Sequence, residues 1–133
     1  MKLIKRDTDY AIRAIMSIVE SNKKLVSVSD LNKITKIPKA FLRKIMQILQ
    51  KEGILKSYKG KGGGFKLAVS ANKIFLTDII KIFQGNLKLN ECIFKRKICP
   101  NKKICSLRKT IERIEKFVIS ELNSITIEDL LKK

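Results

Sequence analysis

The chain has 133 residues, 44% of them hydrophobic, and its 30 Lys and Arg against 12 Asp and Glu give a formal net charge of +18. This size suits one ordinary folded domain, and so large a charge predicts a polyanionic partner, with nucleic acid favoured over an anionic membrane surface. No apolar run approaches the roughly 20 residues of a membrane span, and the absence of histidine removes the commonest general base, which argues against a membrane protein and against an enzyme.

Two amphipathic helices are predicted near the start of the chain. Apolar residues recur at helical spacing over residues 10–20, and Asp9 stands where an N-cap would lie. A pattern with capping-box spacing begins at Ser27 and opens a second, shorter helix. We expect Leu31 and Ile34 to form the inner face of this shorter helix.

A third helix is predicted over residues 38–52, with Pro38 at its first position and Gly53 as its end. One of its sides is apolar, and the opposite side is basic and carries an amide. A short capped helix followed by such a helix is typical of a helix-turn-helix, although an ordinary solvated surface would show the same charges. The apolar side consists of Phe41, Leu42, Ile45, Ile48 and Leu49. The side assigned to DNA consists of Lys39, Ala40, Arg43, Lys44, Gln47 and Lys51.

A β-hairpin is predicted directly after this helix. Residues 54–59 alternate like a strand, residues 60–64 supply the glycines of a tight turn, and residues 65–67 return as a second strand. Lysines at such a tip can enter a minor groove or contact phosphates, which favours DNA binding over the solvated surface. A strand follows the glycines where a nucleotide-binding P-loop needs a helix, so that motif is excluded. The wing residues assigned to DNA are Lys59, Lys61 and Gly62.

The remaining helices are predicted in the second half of the chain. Thr77 is the expected cap of a short helix that ends at Gly85, and Thr126 begins a last turn over 127–131. Between them, residues 103–122 form one long helix whose apolar positions recur in steps of three and four, like a coiled-coil seam. These positions are Leu107, Ile111, Ile114, Val118 and Leu122. They could pack on the protein's own core, but we favour a contact between two copies in a homodimer.

All three cysteines lie in one basic loop, at Cys92, Cys99 and Cys105. No carboxylate lies between Cys92 and Lys109, and the surrounding cations favour the thiolate, which is the form that binds metal or reacts. Structural cysteines would be scattered over apolar faces. A zinc site usually has four ligands in close pairs, whereas another ligand can complete an iron–sulfur cluster on three cysteines, and spacing alone leaves both open. An odd number of cysteines without a secretory signal indicates the cytoplasm.

Three features of the sequence occur in the order found in one regulator family. They are residues 7–14, the wing at 59–65 and the three-cysteine loop before a long helix. Over nearly its whole length the chain resembles the IscR/NsrR family of winged-helix iron–sulfur transcription regulators. The resemblance implies a homodimer crossed through the long helix and a palindromic operator in double-stranded DNA. It also implies an iron–sulfur cluster, 4Fe–4S or 2Fe–2S, whose state controls operator affinity.

The sequence departs from this family's pattern at two points. The iron–sulfur-biogenesis regulators have a histidine ligand where this chain has Arg108, so that ligand set is excluded. The nitric-oxide-sensing members use an acidic residue near the start of the opposite subunit, and Asp9 matches that position, with a helix cap as the alternative role. Six residues rather than the usual five separate Cys92 from Cys99, and Glu91 is a local alternative as fourth ligand.

These patterns predict a mainly α fold with a small β-hairpin wing, a winged helix-turn-helix followed by a long dimerisation helix. We expect a DNA-binding domain at 1–75, and a cysteine loop (about 86–105) and the dimerisation helix within 76–133. The predicted function is that of a DNA-binding transcription regulator, a repressor, in which Arg43, Lys44 and Gln47 read base edges. The alternatives are a cluster-free regulator that senses oxidants through its thiols, a cysteine enzyme, which would lack a histidine base, and a membrane-surface protein.

Overall fold

The computed structural model describes residues 2–89 and 106–132. In this part of the chain, six α-helices are accompanied by one two-stranded antiparallel hairpin that follows the third helix, which confirms the predicted fold class. The α-helices are α1 (Arg6–Glu20), α2 (Val28–Thr35), α3 (Lys39–Lys51), α4 (Leu76–Gln84), α5 (Ser106–Ser124) and α6 (Ile127–Leu131). The strands are β1 (Leu55–Tyr58) and β2 (Gly64–Leu67), and a short 3-10 turn spans Ala71–Lys73.

The capping box predicted at the start of α2 is confirmed. The Ser27 hydroxyl accepts the Asp30 N–H at 3.1 Å, and the Asp30 carboxylate accepts the Ser27 N–H at 3.0 Å. Leu31 is fully buried as predicted, but Ile34 is 58% exposed, so its assignment to the inner face is wrong. α2 packs between α1 and α3 through the side of Leu31, and Ile34 lies beyond the edge of that contact.

The prediction that Asp9 caps α1 is wrong. The helix begins at Arg6 after Lys5, so Asp9 lies within its first turn and its own N–H donates to the Lys5 carbonyl at 2.9 Å. Asp7 and Asp9 both stand near the positive end of the helix dipole, where negative charge is favourable. Both acidic residues therefore lie inside the first turn of α1, which begins before the predicted cap position.

Thr77 is likewise not the cap of α4. The helix begins at Leu76, because the Asp78 carboxylate accepts the Phe75 N–H at 3.0 Å and so completes the cap from within the first turn. Thr77 is buried inside the helix, and its hydroxyl donates to the side-chain carbonyl of Asn123 in α5. A local pattern could not reveal this role, since the partner comes from another helix.

The main core is formed by α1, α2, α3, α4, the hairpin and α6. Met46 is fully buried in it, although the sequence prediction left this residue out of the apolar side of α3. Ile127 of α6 belongs to the same core, so the end of the chain packs on the helices of its beginning. A smaller cluster joins α4 to α5 through Leu76, Ile80 and Leu122.

Candidate nucleic-acid interface

The turn between α2 and α3 is fixed by side-chain hydrogen bonds. The Asn32 amide donates to the Ile37 carbonyl at 2.8 Å, and the Thr35 hydroxyl accepts the Ile37 N–H at 3.2 Å. Ile37 is 4% exposed, and Lys36 adopts the left-handed conformation with φ of 64°. Because Ile37 is buried and hydrogen-bonded, the turn has a fixed geometry, which sets the orientation of α3 relative to α2.

α3 separates an apolar side from a basic side. Leu42, Ile45, Met46 and Leu49 are buried. The six residues predicted to face DNA are all exposed, namely Lys39, Ala40, Arg43, Lys44, Gln47 and Lys51. Four of these six carry positive charge, and α3 contains no carboxylate at all. The structure therefore presents a rigid helix with a basic, amide-bearing outer side, which is the arrangement that major-groove readers use.

The wing is a tight hairpin shaped by glycine. Gly60 and Gly62 have φ of 97° and 79°, a conformation that glycine adopts without steric cost. The Gly63 N–H donates to the Gly60 carbonyl at 3.0 Å, and a Cβ on Gly63 would overlap the Tyr58 carbonyl oxygen. All three wing residues assigned to DNA are exposed at the tip: Lys59, Lys61 and Gly62.

The wing is also attached to the start of the helix-turn-helix. Val26 and Phe65 exchange two backbone hydrogen bonds, with N–H to carbonyl oxygen distances of 3.0 and 2.8 Å. Val26 thus forms a single isolated bridge beside β2. Gly64 lies so close that a Cβ there would stand 2.8 Å from the Val26 carbonyl oxygen. Backbone hydrogen bonds therefore join the wing to the segment directly before α2.

One basic residue beside this surface was missed by the sequence prediction. The guanidinium carbon of Arg6 lies 4.5 Å from the centre of the Phe41 ring, in the first turn of α3. Phe41 in turn meets Tyr10 edge to face, with ring centres 6.0 Å apart. Arg6 and Phe41 are distant in sequence, and only the packing of α1 on α3 brings them together.

The predicted metal ligands are placed only in part. Asp9 is paired with Arg13 at 2.9 Å, and its side chain is 43% exposed. The three cysteines and Glu91 lie outside the described residues. Within 2–89 and 106–132, acidic and sulfur-bearing side chains form no group of three or more able to hold a metal ion.

The segment that leads toward the cysteines is attached to α5. Glu115, whose side chain is 12% exposed, accepts the Leu89 N–H at 3.0 Å and lies 3.5 Å from the Lys88 ammonium group. Arg108 donates to the Glu112 carboxylate, one turn later in α5, at 3.0 Å. Within the described residues, Glu115 of α5 therefore holds the segment before the cysteines at Lys88 and Leu89.

Comparison with known proteins decides the family. The model of the Rrf2 family, described as an iron-dependent transcriptional regulator, matches residues 4–133. The chain belongs to the Rrf2 family. The HTH-type transcriptional regulator NsrR of Oceanobacillus iheyensis is 29% identical to this Rrf2 protein over 131 residues, covering 97% of this chain and 89% of the relative.

Two solved structures show the same fold. CymR, the global cysteine regulator of B. subtilis, superposes with a TM-score of 0.81 at 24% identity, covering 98% of this chain and 96% of the other. T. potens IscR superposes with a TM-score of 0.72 at 24% identity, covering 99% and 87%. The predicted IscR/NsrR resemblance is thus confirmed.

The Rrf2 protein is a transcriptional regulator that binds DNA, and its relatives are regulators rather than enzymes. Each helix in the described part of the chain is too short or too polar to cross a bilayer.

Proposed function

We propose that this Rrf2 regulator is a homodimeric repressor whose affinity for a palindromic operator depends on an iron–sulfur cluster at Cys92, Cys99 and Cys105. The observation that carries the proposal is the carboxylate-free outer side of α3 beside a lysine-bearing wing, in a family described as iron-dependent. The two functions divide near residue 75, with DNA reading in 1–75 and regulation in 76–133.

The outer side of α3 supplies the base contacts. Arg43, Lys44 and Gln47 lie on its exposed middle turns, where a helix in the major groove approaches base edges. Arg pairs best with the O6 and N7 atoms of guanine, and Gln with the N6 and N7 atoms of adenine. Lys39 and Lys51, at the two ends of the helix, contact phosphates, and Ala40 is exposed beside Lys39 in the first turn.

The wing contacts the flanking minor groove. Lys59, Lys61 and Gly62 stand at the exposed tip, and the Val26–Phe65 bridge ties the hairpin to the helix-turn-helix. Because the two elements are connected, α3 and the wing can contact the same duplex at a fixed separation. Lysines in a narrow groove add affinity through the high negative potential there.

Selection from a random pool of duplex DNA tests this assignment. We expect an enriched palindrome whose half-sites are separated by about one helical turn. Arg43→Ala should relax one position of that palindrome, with a loss of about 1–3 kcal/mol, whereas Lys51→Ala should weaken all sequences evenly. Lys116→Ala removes an exposed charge from α5 and serves as the control. A pool without an enriched sequence, or an unchanged palindrome for Arg43→Ala, would contradict the assignment.

The cysteines would hold the cluster, with Asp9 of the partner subunit as fourth ligand. Thiolates are the usual ligands of iron–sulfur clusters, and the donor chemistry of three cysteines fits one. When bound, such a cluster supplies sensitivity to redox state, nitric oxide or iron supply. The Asp9–Arg13 ion pair is largely exposed and contributes at most about 1 kcal/mol, so Asp9 can leave it at small cost.

Iron and sulfide analysis of the anaerobically purified protein tests the cluster. We expect brown wild-type protein with bound iron and sulfide, and colourless Cys99→Ala protein with neither. Asp9→Ala should bind the cluster but lose it faster, since three cysteines remain. Colourless, iron-free wild-type protein that still binds DNA would contradict the proposed cluster and favour a cluster-free regulator that senses oxidants through its thiols.

The homodimer contact is assigned to α5. Leu107 and Phe117 are 68% and 67% exposed, and Ile114 is 43% exposed. Farther along the predicted seam, Leu122 is buried against α4 and Val118 packs beside it, so that end serves the protein's own core. The exposed half of the seam is the surface that a second copy would cover.

A further inference from the structure

We propose that the DNA-binding surface extends beyond α3 and the wing to Arg6, whose guanidinium group contacts a backbone phosphate beside the groove that α3 enters. This inference rests on the proposed function, because it assumes that α3 lies against DNA. It adds a contact from α1, an element outside the helix-turn-helix.

The position of Arg6 is set by aromatic contacts. Its guanidinium carbon stands 4.5 Å from the centre of the Phe41 ring, and Tyr10 supports that ring from the other helix. Phe41 lies in the first turn of α3, between Ala40 and Arg43 in sequence. A cation over an aromatic ring loses less conformational freedom when it binds a phosphate, because its orientation is already restricted.

Arg6 remains accessible in this position. Its side chain is 60% exposed, and its Nε lies 3.5 Å from the Asp7 carboxylate. Arginine carries five N–H donors in a planar group, so a phosphate can be bound while Nε stays beside Asp7. The neighbouring Lys2 and Lys5 are exposed as well, and they stand beside the acidic Asp7 and Asp9 of the first turn.

The backbone before α1 is held in place by the end of α4. The Gln84 side-chain carbonyl accepts the Lys5 N–H at 2.8 Å, and its amide donates to the Leu3 carbonyl at 3.2 Å. A fixed segment presents Arg6 in one place, which lowers the entropic cost of the contact. The alternative is that the Arg6–Phe41 contact only stabilises the packing of α1 on α3.

The salt dependence of DNA binding separates the two roles. The full chain is titrated with a random-sequence duplex of about 30 base pairs, long enough for two half-sites one helical turn apart. At about 0.1 M salt we expect Arg6→Ala to weaken binding roughly three- to tenfold and to reduce the slope of log affinity against log salt by about 0.9 for each protomer. Arg6→Lys should keep the slope but regain only part of the affinity.

Lys116→Ala is the matched control, since it removes one exposed charge from α5. We expect it to leave the slope unchanged. If Arg6→Ala behaves like this control, or lowers the unfolding temperature without changing the slope, the inference is wrong. A wild-type chain that shows no salt-dependent duplex binding would instead contradict the proposed function.

Discussion

Replacing Gly63 by alanine should disable the wing while leaving the rest of the fold in place. A Cβ at Gly63 would overlap the Tyr58 carbonyl oxygen and stand 3.0 Å from the Gly60 carbonyl oxygen. Both are backbone atoms, so no side chain can rotate away to make room. The added methyl group must therefore displace the end of β1 or open the turn.

The size of the effect follows from where the hairpin is anchored. Forcing one extra carbon into a packed site costs about 1–3 kcal/mol. The pair Tyr58↔Gly64 adjoins the turn and should be lost first, whereas Leu55↔Leu67 should persist because Leu55 is 2% exposed in the core. Displacement of the two lysines at the tip should remove up to two phosphate contacts per protomer, which reduces the salt slope by up to about 1.8 for each protomer.

Urea unfolding and salt-dependent duplex binding measure the two effects separately. Gly53→Ala is the control: its φ is 82° and a Cβ there meets nothing within 4 Å, so it carries only backbone strain of about 1–2 kcal/mol. We expect similar destabilisation from Gly53→Ala without a change in slope. Gly63→Ala protein with wild-type stability and an unchanged slope would refute the steric argument.

Three further predictions concern the core, a helix cap and the dimer. Met46→Ala should lower the free energy of unfolding by about 2–5 kcal/mol in urea titrations, since Met46 is fully buried; a loss well below this would mean that the core closes around the gap. Lys23 and the Ser27 N–H lower the pKa of Asp30 from 3.8 to about 2. Its ionised carboxylate therefore stabilises the fold above about pH 4, and this stabilisation is lost as the pH falls toward 2. Asp30→Asn should be less stable than wild type by about 1 kcal/mol at neutral pH, a difference that narrows over that window and that a pH-independent difference would contradict. Phe117→Glu should shift the sedimentation of a dimer to that of a monomer without unfolding it, because Phe117 is 67% exposed; a persistent dimer would place the contact elsewhere.

Much of the proposed DNA-binding surface could be predicted from the sequence because its signals are local. The capping box at Ser27 and the cap at Thr126 act within four residues, and both are confirmed at the starts of α2 and α6. The two-sided pattern of α3 depends only on helical periodicity, and the glycines of the wing specify their own turn. Such features do not depend on residues far along the chain.

Several roles that the sequence misassigned or missed depend on partners far along the chain. Thr77 looks like a cap until Asn123 of α5 stands beside it, and Ile34 looks buried until the packing of α2 leaves its side uncovered. The position of Arg6 over Phe41 likewise exists only once α1 lies on α3. Sequence alone determined most of the helices, the turns and the basic outer side of α3, because neighbouring residues fix them. Tertiary structure decided which side chains meet, because burial and pairing are properties of packed helices and not of any one segment.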